Sequence, residues 1–234
     1  MWLDYYYIVL VLPAVLFSLF ASLSVRSTFH RYSKIPTRCR LSGHDAARTV
    51  LDANGLHHVR IERVEGELTD HYDPRANVIR LSRAVYDNTS CAAIGVAAHE
   101  AGHAIQHAQN YLPIRIRSAI IPITTIGSRL ALPLILVGIL LEVLAPGMIV
   151  IAYAGVIAFS LCVLFQLVTL PTEFNASRRA IRAIAEQTPL DSEEISGSKK
   201  VLRAAAMTYV AALAVSVMQL LRLLLLVSGS RRRN

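Results

Sequence analysis

Val96-Ala97-Ala98-His99-Glu100-Ala101-Gly102-His103-Ala104-Ile105-Gln106 is the stretch on which the reading of this chain turns. It lies in an apolar run, residues 91–109, behind the cap candidates Asn88, Thr89 and Ser90, and so predicts a helix. Residues four apart share a helical face, so His99 and His103 can converge on one cation while the Glu100 carboxylate addresses a water bound to it. This H-E-x-x-H pattern is the equipment of metal-assisted hydrolysis. Zn2+ lowers the pKa of its water to about 7 and polarises a carbonyl, and Glu100 serves as general base. The plainer reading, two histidines satisfied in a polar interior, would bury them at considerable cost without a metal or partners.

Outward from this helix the chain is strongly apolar. Of its 234 residues 54% are hydrophobic, gathered in uncharged runs near the length of a bilayer crossing, which excludes an ordinary soluble domain. The expected fold is an α-helical multi-pass membrane protein with a small α+β domain. Residues 1–25 form an N-terminal anchor and 26–117 a cytoplasmic domain holding the motif helix. Residues 118–170 form a transmembrane hairpin joined by Ala145-Pro146-Gly147, and 171–203 a second cytoplasmic segment. Residues 204–234 form a C-terminal transmembrane or membrane-associated helix with a basic tail. A net charge of +8 is compatible with a nucleic-acid binder. However, Arg26, Arg31, Lys34, Arg38 and Arg40 directly follow one apolar run and Arg178, Arg179 and Arg182 another, as cytoplasmic loops require, so no nucleic-acid partner is expected. The partners instead are the lipid bilayer and peptide or membrane-protein substrates. Cys39, Cys91 and Cys162 have no metal or disulfide spacing.

Within the first polar segment, residues 43–54 read as an amphipathic helix, 58–67 as a strand, 73–77 as a turn and 78–82 as a second short strand. In the hairpin, Arg129 and Glu142 are expected to reach the interface. Pro189, Asp191, Ser192 and Gly197 mark a loop between residues 185 and 199. Arg222 and the terminal arginines Arg231, Arg232 and Arg233 argue against placing the end of the last apolar run outside.

A catalytic zinc needs a third protein ligand and an open position. The metzincin spacing would require Gly at 106 and His at 109, where this chain has Gln106 and Gln109. His107 lies one turn beyond His103, but three histidines in that linear series span about 12 Å and cannot close on one ion. It is read as surface or supporting. Topology then favours Glu173, just past the returning end of the hairpin, over Glu142 on the far side. Glu186, Asp191, Glu193 and Glu194 remain as replacements should Glu173 be only a helix-start carboxylate.

The chain resembles the YugP-like neutral zinc metallopeptidases, bacterial membrane proteins, over nearly its whole length. The likeness is carried by the anchor, Leu68-Thr69-Asp70-His71-Tyr72-Asp73-Pro74, the stretch 96–106, and Glu173-Phe174-Asn175-Ala176-Ser177-Arg178-Arg179-Ala180. More distantly it resembles membrane gluzincins of the HtpX and CAAX prenyl protease type. The resemblance implies a zincin-like domain, one catalytic Zn2+ on His99, His103 and Glu173, and a cell-membrane endopeptidase with its site on the cytoplasmic face. It also implies that the strand Val78, Ile79, Arg80, Leu81 and Ser82 is the edge on which a peptide lies, by strand addition. Ser177 stands where the distant families have Asp, and Asn175 where the closer one would have it; both are candidates to support the ligands. His71 and Tyr72 either shape a turn or reach the site as a transition-state donor or ligand orienter. Competing readings are an intramembrane protease and a non-catalytic scaffold with a structural zinc.

Overall fold

The computed structural model describes residues 4–66 and 69–231. Residues 1–3 of the expected anchor, Glu67 and Leu68, and Arg232 and Arg233 of the basic tail lie outside the described residues. The chain divides into two compact units, one of residues 1–20, 116–170 and 209–234, the other of 21–115 and 171–208. Seven α-helices are described: α1 (Leu12–Tyr32, entered through a π-helical turn Tyr7–Val11), α2 (Gly43–Ala53), α3 (Arg83–Tyr86), α4 (Cys91–Ala108), α5 (Leu112–Leu144), α6 (Ile149–Gln187) and α7 (Ser192–Arg231). Three strands, β1 (Arg60–Val64), β2 (His71–Asp73) and β3 (Val78–Ser82), make one small sheet.

The apolar unit is built from parts of α1, α5, α6 and α7. All four of these helices are long and apolar enough to cross a membrane. Leu16, Leu19, Phe20, Ile123, Ile126, Leu136, Leu140, Val150 and Ile157 are exposed on them, a surface that water would not tolerate and lipid would. Small residues let α5 and α6 lie close. A Cβ added at Gly138 would fall 2.2 Å from the Ala152 amide nitrogen, and one at Gly155 2.7 Å from the Ala131 carbonyl oxygen. Glu142, expected at the interface, is held at the hairpin tip. It is 6% exposed and folds back over the hairpin tip, accepting from the backbone amides of Gly147 (2.9 Å) and Ile149 (2.7 Å). The first turn of α6 thus gains the anion that its free N–H groups favour.

Arg222 has a partner as well. Its Nε and Nη2 donate to Asp4 Oδ2 at 3.0 and 2.6 Å, while Asp4 Oδ1 accepts from the Tyr7 amide at 2.8 Å. Arg222 is 9% exposed and stacks over the Tyr7 ring. The charge that argued against placing the end of the last apolar run outside is therefore answered by Asp4, just ahead of the π-helical turn that leads into α1.

The second unit holds the sheet and the motif helix. Ser42 caps α2 in a capping box with Asp45, and Ala46, Ala47, Val50 and Leu51 bury one face. They pack with Ile79, Leu81, Ile94, Ala97, Ala98, Ala101 and Ile184 in one core. In the sheet, β3 pairs in parallel with β1 (Arg60 to Val78 through Val64 to Ser82) and antiparallel with β2 (His71 to Arg80, Tyr72 to Ile79, Asp73 to Val78). The strand order β1-β3-β2 makes β3 the central strand, with Val78, Ile79, Leu81 and Ser82 buried. This corrects the expectation of an edge at residues 78–82: both flanks of β3 are paired, so no peptide can add there. Its hydrophobicity reflects a core position, and the edges are β1 and β2, the latter read from sequence as part of a turn cluster. Beyond Leu170 the expected break is also absent, since α6 runs through Pro171 as one helix and Glu173 lies in its interior. The loop expected between residues 185 and 199 shrinks to Thr188–Asp191, and Gly197 is helical.

Replacing Arg222 by Ala should strand the Asp4 carboxylate and cost about 3 kcal/mol, the usual penalty for breaking a buried pair. For a chain of this size that corresponds to a fall of roughly 6–12 °C in Tm of the detergent-solubilised protein. An unchanged Tm would show that the pair does not tie the two helices.

Candidate metal centre

The two helices that form the site meet along matched faces. On α4 the facing residues are His99, Gly102, His103 and Gln106; on α6 they are Glu173, Ala176, Ser177 and Ala180. Each set follows the i, i+3, i+4, i+7 spacing of a single helical face. Ser90 starts α4 by accepting from the Ala93 amide at 3.2 Å. Gly102 permits the contact, because a Cβ there would lie 2.7 Å from the Ala176 carbonyl oxygen. With the backbones this close, the longer polar side chains on either side of Gly102 and Ala176 are forced together.

Glu173 Oε2 lies 3.2 Å from His99 Nε2 and 3.4 Å from His103 Nε2. Ligand atoms of the three residues all lie within 4.8 Å of one another. A tetrahedral ion with bonds of about 2.0–2.1 Å separates its ligand atoms by about 3.3 Å, so the donor set fits Zn2+ in both chemistry and spacing. The imidazole planes stand at 85° with centroids 4.7 Å apart, which lets both Nε2 atoms point to one place.

Neighbouring hydrogen bonds fix which nitrogen is free. Gln106 is fully buried, and one end of its amide faces the carbonyl oxygen of Thr172 at 2.8 Å, so that end must be the NH2 group. The other end is then the oxygen, and His103 Nδ1, 3.0 Å away, must carry the proton and donate to it. His103 Nε2 is the nitrogen that faces Glu173. Ser177 Oγ lies 3.2 Å from His99 Nδ1 and orients that ring, so that His99 Nε2 faces Glu173. The Gln106 NH2 group also donates to Asn175 Oδ1 (3.0 Å), which receives Arg179 Nε at 2.7 Å. Burial pushes His103 toward its neutral form, but the Glu173 and Glu100 carboxylates outweigh burial and raise its proton affinity above that of an ordinary imidazole. The pocket is built to hold positive charge.

Glu100 is 8% exposed on the next position of the helix, and among the described residues no hydrogen bond or ion pair holds it. Its charge is nevertheless felt nearby. Burial pushes the Asp70 carboxyl above the usual carboxylate range, and Glu100 adds to this. Asp70 itself closes the end of β3, accepting from the Ser82 amide (2.7 Å) and pairing with Ser82 Oγ (3.1 Å).

The remaining sequence candidates lie elsewhere. His71 is exposed and bonded to the Thr69 carbonyl oxygen. The Tyr72 hydroxyl donates to Asn77 Oδ1, and its ring packs on His107 at 5.5 Å. Among the described residues no hydrogen bond or ring contact joins His71 or Tyr72 to the three ligand residues. Asp73 holds the following turn through the amides of Arg75 and Ala76. Asn175 and Ser177 do sit beside the ligand histidines, the first through Gln106. Gln106 and Arg179 were missed as functional residues. The spacing of Gln106, three after His103 on an apolar helix, is the signal that pointed to it.

Over residues 7–228 the chain matches the family described as "Putative neutral zinc metallopeptidase". It is 43% identical over 228 residues to the protein named "Putative membrane protease YugP" of Bacillus subtilis (strain 168), an alignment covering 97% of this chain and 99% of that relative. No solved structure matches.

Gly102→Ala should force α4 and α6 apart. At about 1–3 kcal/mol for an overpacked contact, zinc retention against a chelator should weaken by roughly 5- to 150-fold. Undiminished retention would show that the close helix contact does not set the ligand spacing.

Proposed function

The chain belongs to the "Putative neutral zinc metallopeptidase" family, and from that premise we propose that it is a membrane-bound, zinc-dependent endopeptidase. The observation that carries the reading is the meeting of His99, His103 and Glu173 with an unpaired, nearly buried Glu100 on the adjoining turn. A bound Zn2+ supplies the Lewis acidity that activates water and polarises the scissile carbonyl. Glu100 takes the proton from the attacking water and returns it to the leaving amine. Gln106 holds His103 with Nδ1 protonated and Ser177 orients the ring of His99, so that both Nε2 atoms face Glu173. In this gluzincin-type arrangement the substrate adds along the outer edge of β2, since β3 is closed on both sides and β2 packs on α4.

Neither rival gains from the structure. A structural zinc usually closes with four protein ligands, and among the described residues only three gather. An intramembrane site would place the motif helix among the spans, whereas α4 is not one of the four helices long and apolar enough.

We further propose that all four long apolar helices cross the membrane, with both chain ends on one face and the site-bearing segments, residues 26–117 and 171–203, on the cytoplasmic face. The basic residues that cluster in those segments support this. A reporter fused after the last residue should accordingly be extracytoplasmic; a cytoplasmic reporter would remove the last crossing.

Glu100→Gln should lower kcat by roughly 10²–10⁴-fold, as loss of a general base does, with zinc stoichiometry unchanged. Glu173→Ala should instead lose the metal. Full cleavage by the purified Glu100→Gln protein would overturn the mechanism.

A further inference from the structure

Arg178, Arg179 and Arg182 line an open cleft of about 450 Å³, together with Gln109, Asn175 and Glu186. Three guanidinium groups face one carboxylate there. Arg182 is answered by Glu186 at 2.8 Å. Arg179 is half-buried and held only by neutral groups. Its Nε donates to Asn175 Oδ1 (2.7 Å), its Nη1 donates to Gln109 Oε1 (2.6 Å), and its guanidinium lies 5.8 Å from the Tyr111 ring centroid. Arg178 is exposed and has no ion pair among the described residues. Two positive charges are thus left without a counter-charge, one of them on a side chain whose plane is fixed. A guanidinium has five N–H donors, and two such bonds leave three to be satisfied.

We propose that this cleft binds a phosphate-bearing anion. Several arginine forks converging from consecutive turns of one helix suit a group with three or more acceptor oxygens better than a two-oxygen carboxylate. The headgroup of an anionic phospholipid is the favoured source. Arg178 follows the end of the apolar run at Leu170 by only about 12 Å of helix, and basic residues just past a spanning helix draw anionic lipid.

The cleft is wired to the metal centre. Asn175 Oδ1 is shared by Arg179 Nε and the Gln106 amide, and Gln106 accepts from His103 Nδ1. An anion that fixes Arg179 therefore also fixes Asn175 and Gln106, and through them the ring of His103. Zinc should be lost more slowly when the cleft is filled. The binding site itself stands whether or not the chain cleaves peptides.

The test uses the full-length zinc-loaded protein in neutral detergent. Native mass spectrometry measures retention of phosphatidylglycerol against phosphatidylcholine, titration calorimetry measures inorganic phosphate, and zinc transfer to a chelator is timed with and without each. Wild type should retain phosphatidylglycerol and release zinc several-fold more slowly with it. The double variant Arg178→Ala/Arg182→Ala should bind phosphatidylglycerol at least ~10-fold more weakly. The control Arg75→Ala/Arg83→Ala removes the same charge from exposed positions outside the cleft and should behave as wild type. Phosphate binding that is lost in the cleft variant, with no preference for phosphatidylglycerol, would support the site and assign it to a soluble anion. Equal binding by wild type and the cleft variant, or an equal loss in the control, would overturn the proposal. A zinc-release rate indifferent to a bound anion would overturn the coupling.

Discussion

The approach of α4 to α6 at Gly102 and Ala176 is the contact on which the metal centre depends. A helix pair separated by ordinary side chains would hold His99 and His103 too far from Glu173 for one small ion to reach all three. Removing a single Cβ at the crossing lets backbone meet backbone, and the flanking positions one turn either way then fall within reach of each other. The alanines around the crossing extend the same logic. Ala176 and Ala180, on the α6 face that meets α4, are fully buried and small. Polar groups are concentrated only where they find partners across the gap, as buried polar groups must.

Continuity of α6 is the second constraint. Glu173, Asn175, Ser177 and Arg179 are carried on the same rod as the apolar run before Leu170. Because they share one helix, their relative rotation is set by the helical repeat and not by a loop. Proline at 171 does not break the helix, because the helical hydrogen bond it lacks is one among many in a helix of 39 residues held by packing on both sides of it.

That point also shows what sequence alone could deliver. The motif helix, its Ser90 cap, α2 and β3 were legible because their signals are local: a four-residue spacing, a capping residue, an apolar periodicity. The apolar runs were legible for the same reason. Three features were not. The change from apolar to polar at residue 171, together with a proline, imitates a helix end, and only tertiary packing shows that the helix continues. β2 has three residues, too few to display alternation, and its members, His71, Tyr72 and Asp73, are polar types that suggest a turn. The edge at residues 78–82 was what the family resemblance implied, and pairing with β2 on its second flank closes it. Arg222 was misjudged because its partner, Asp4, lies 218 residues away.

The choice of supporting groups has an electrostatic consequence. A doubly charged ion among His99, His103 and Glu173 would be left with one net positive charge, and the adjacent Glu100 carboxylate brings the buried cluster to neutrality. Charges removed from water must be balanced in this way, or desolvation outweighs their attraction. Had carboxylates stood in place of Ser177 and Gln106 behind the two imidazoles, the same volume would carry an excess of negative charge and the ligands would be more basic. A hydroxyl and an amide orient the rings as well and add no charge. Glu100 is left as a carboxylate beside the ligand histidines that no hydrogen bond or ion pair among the described residues engages.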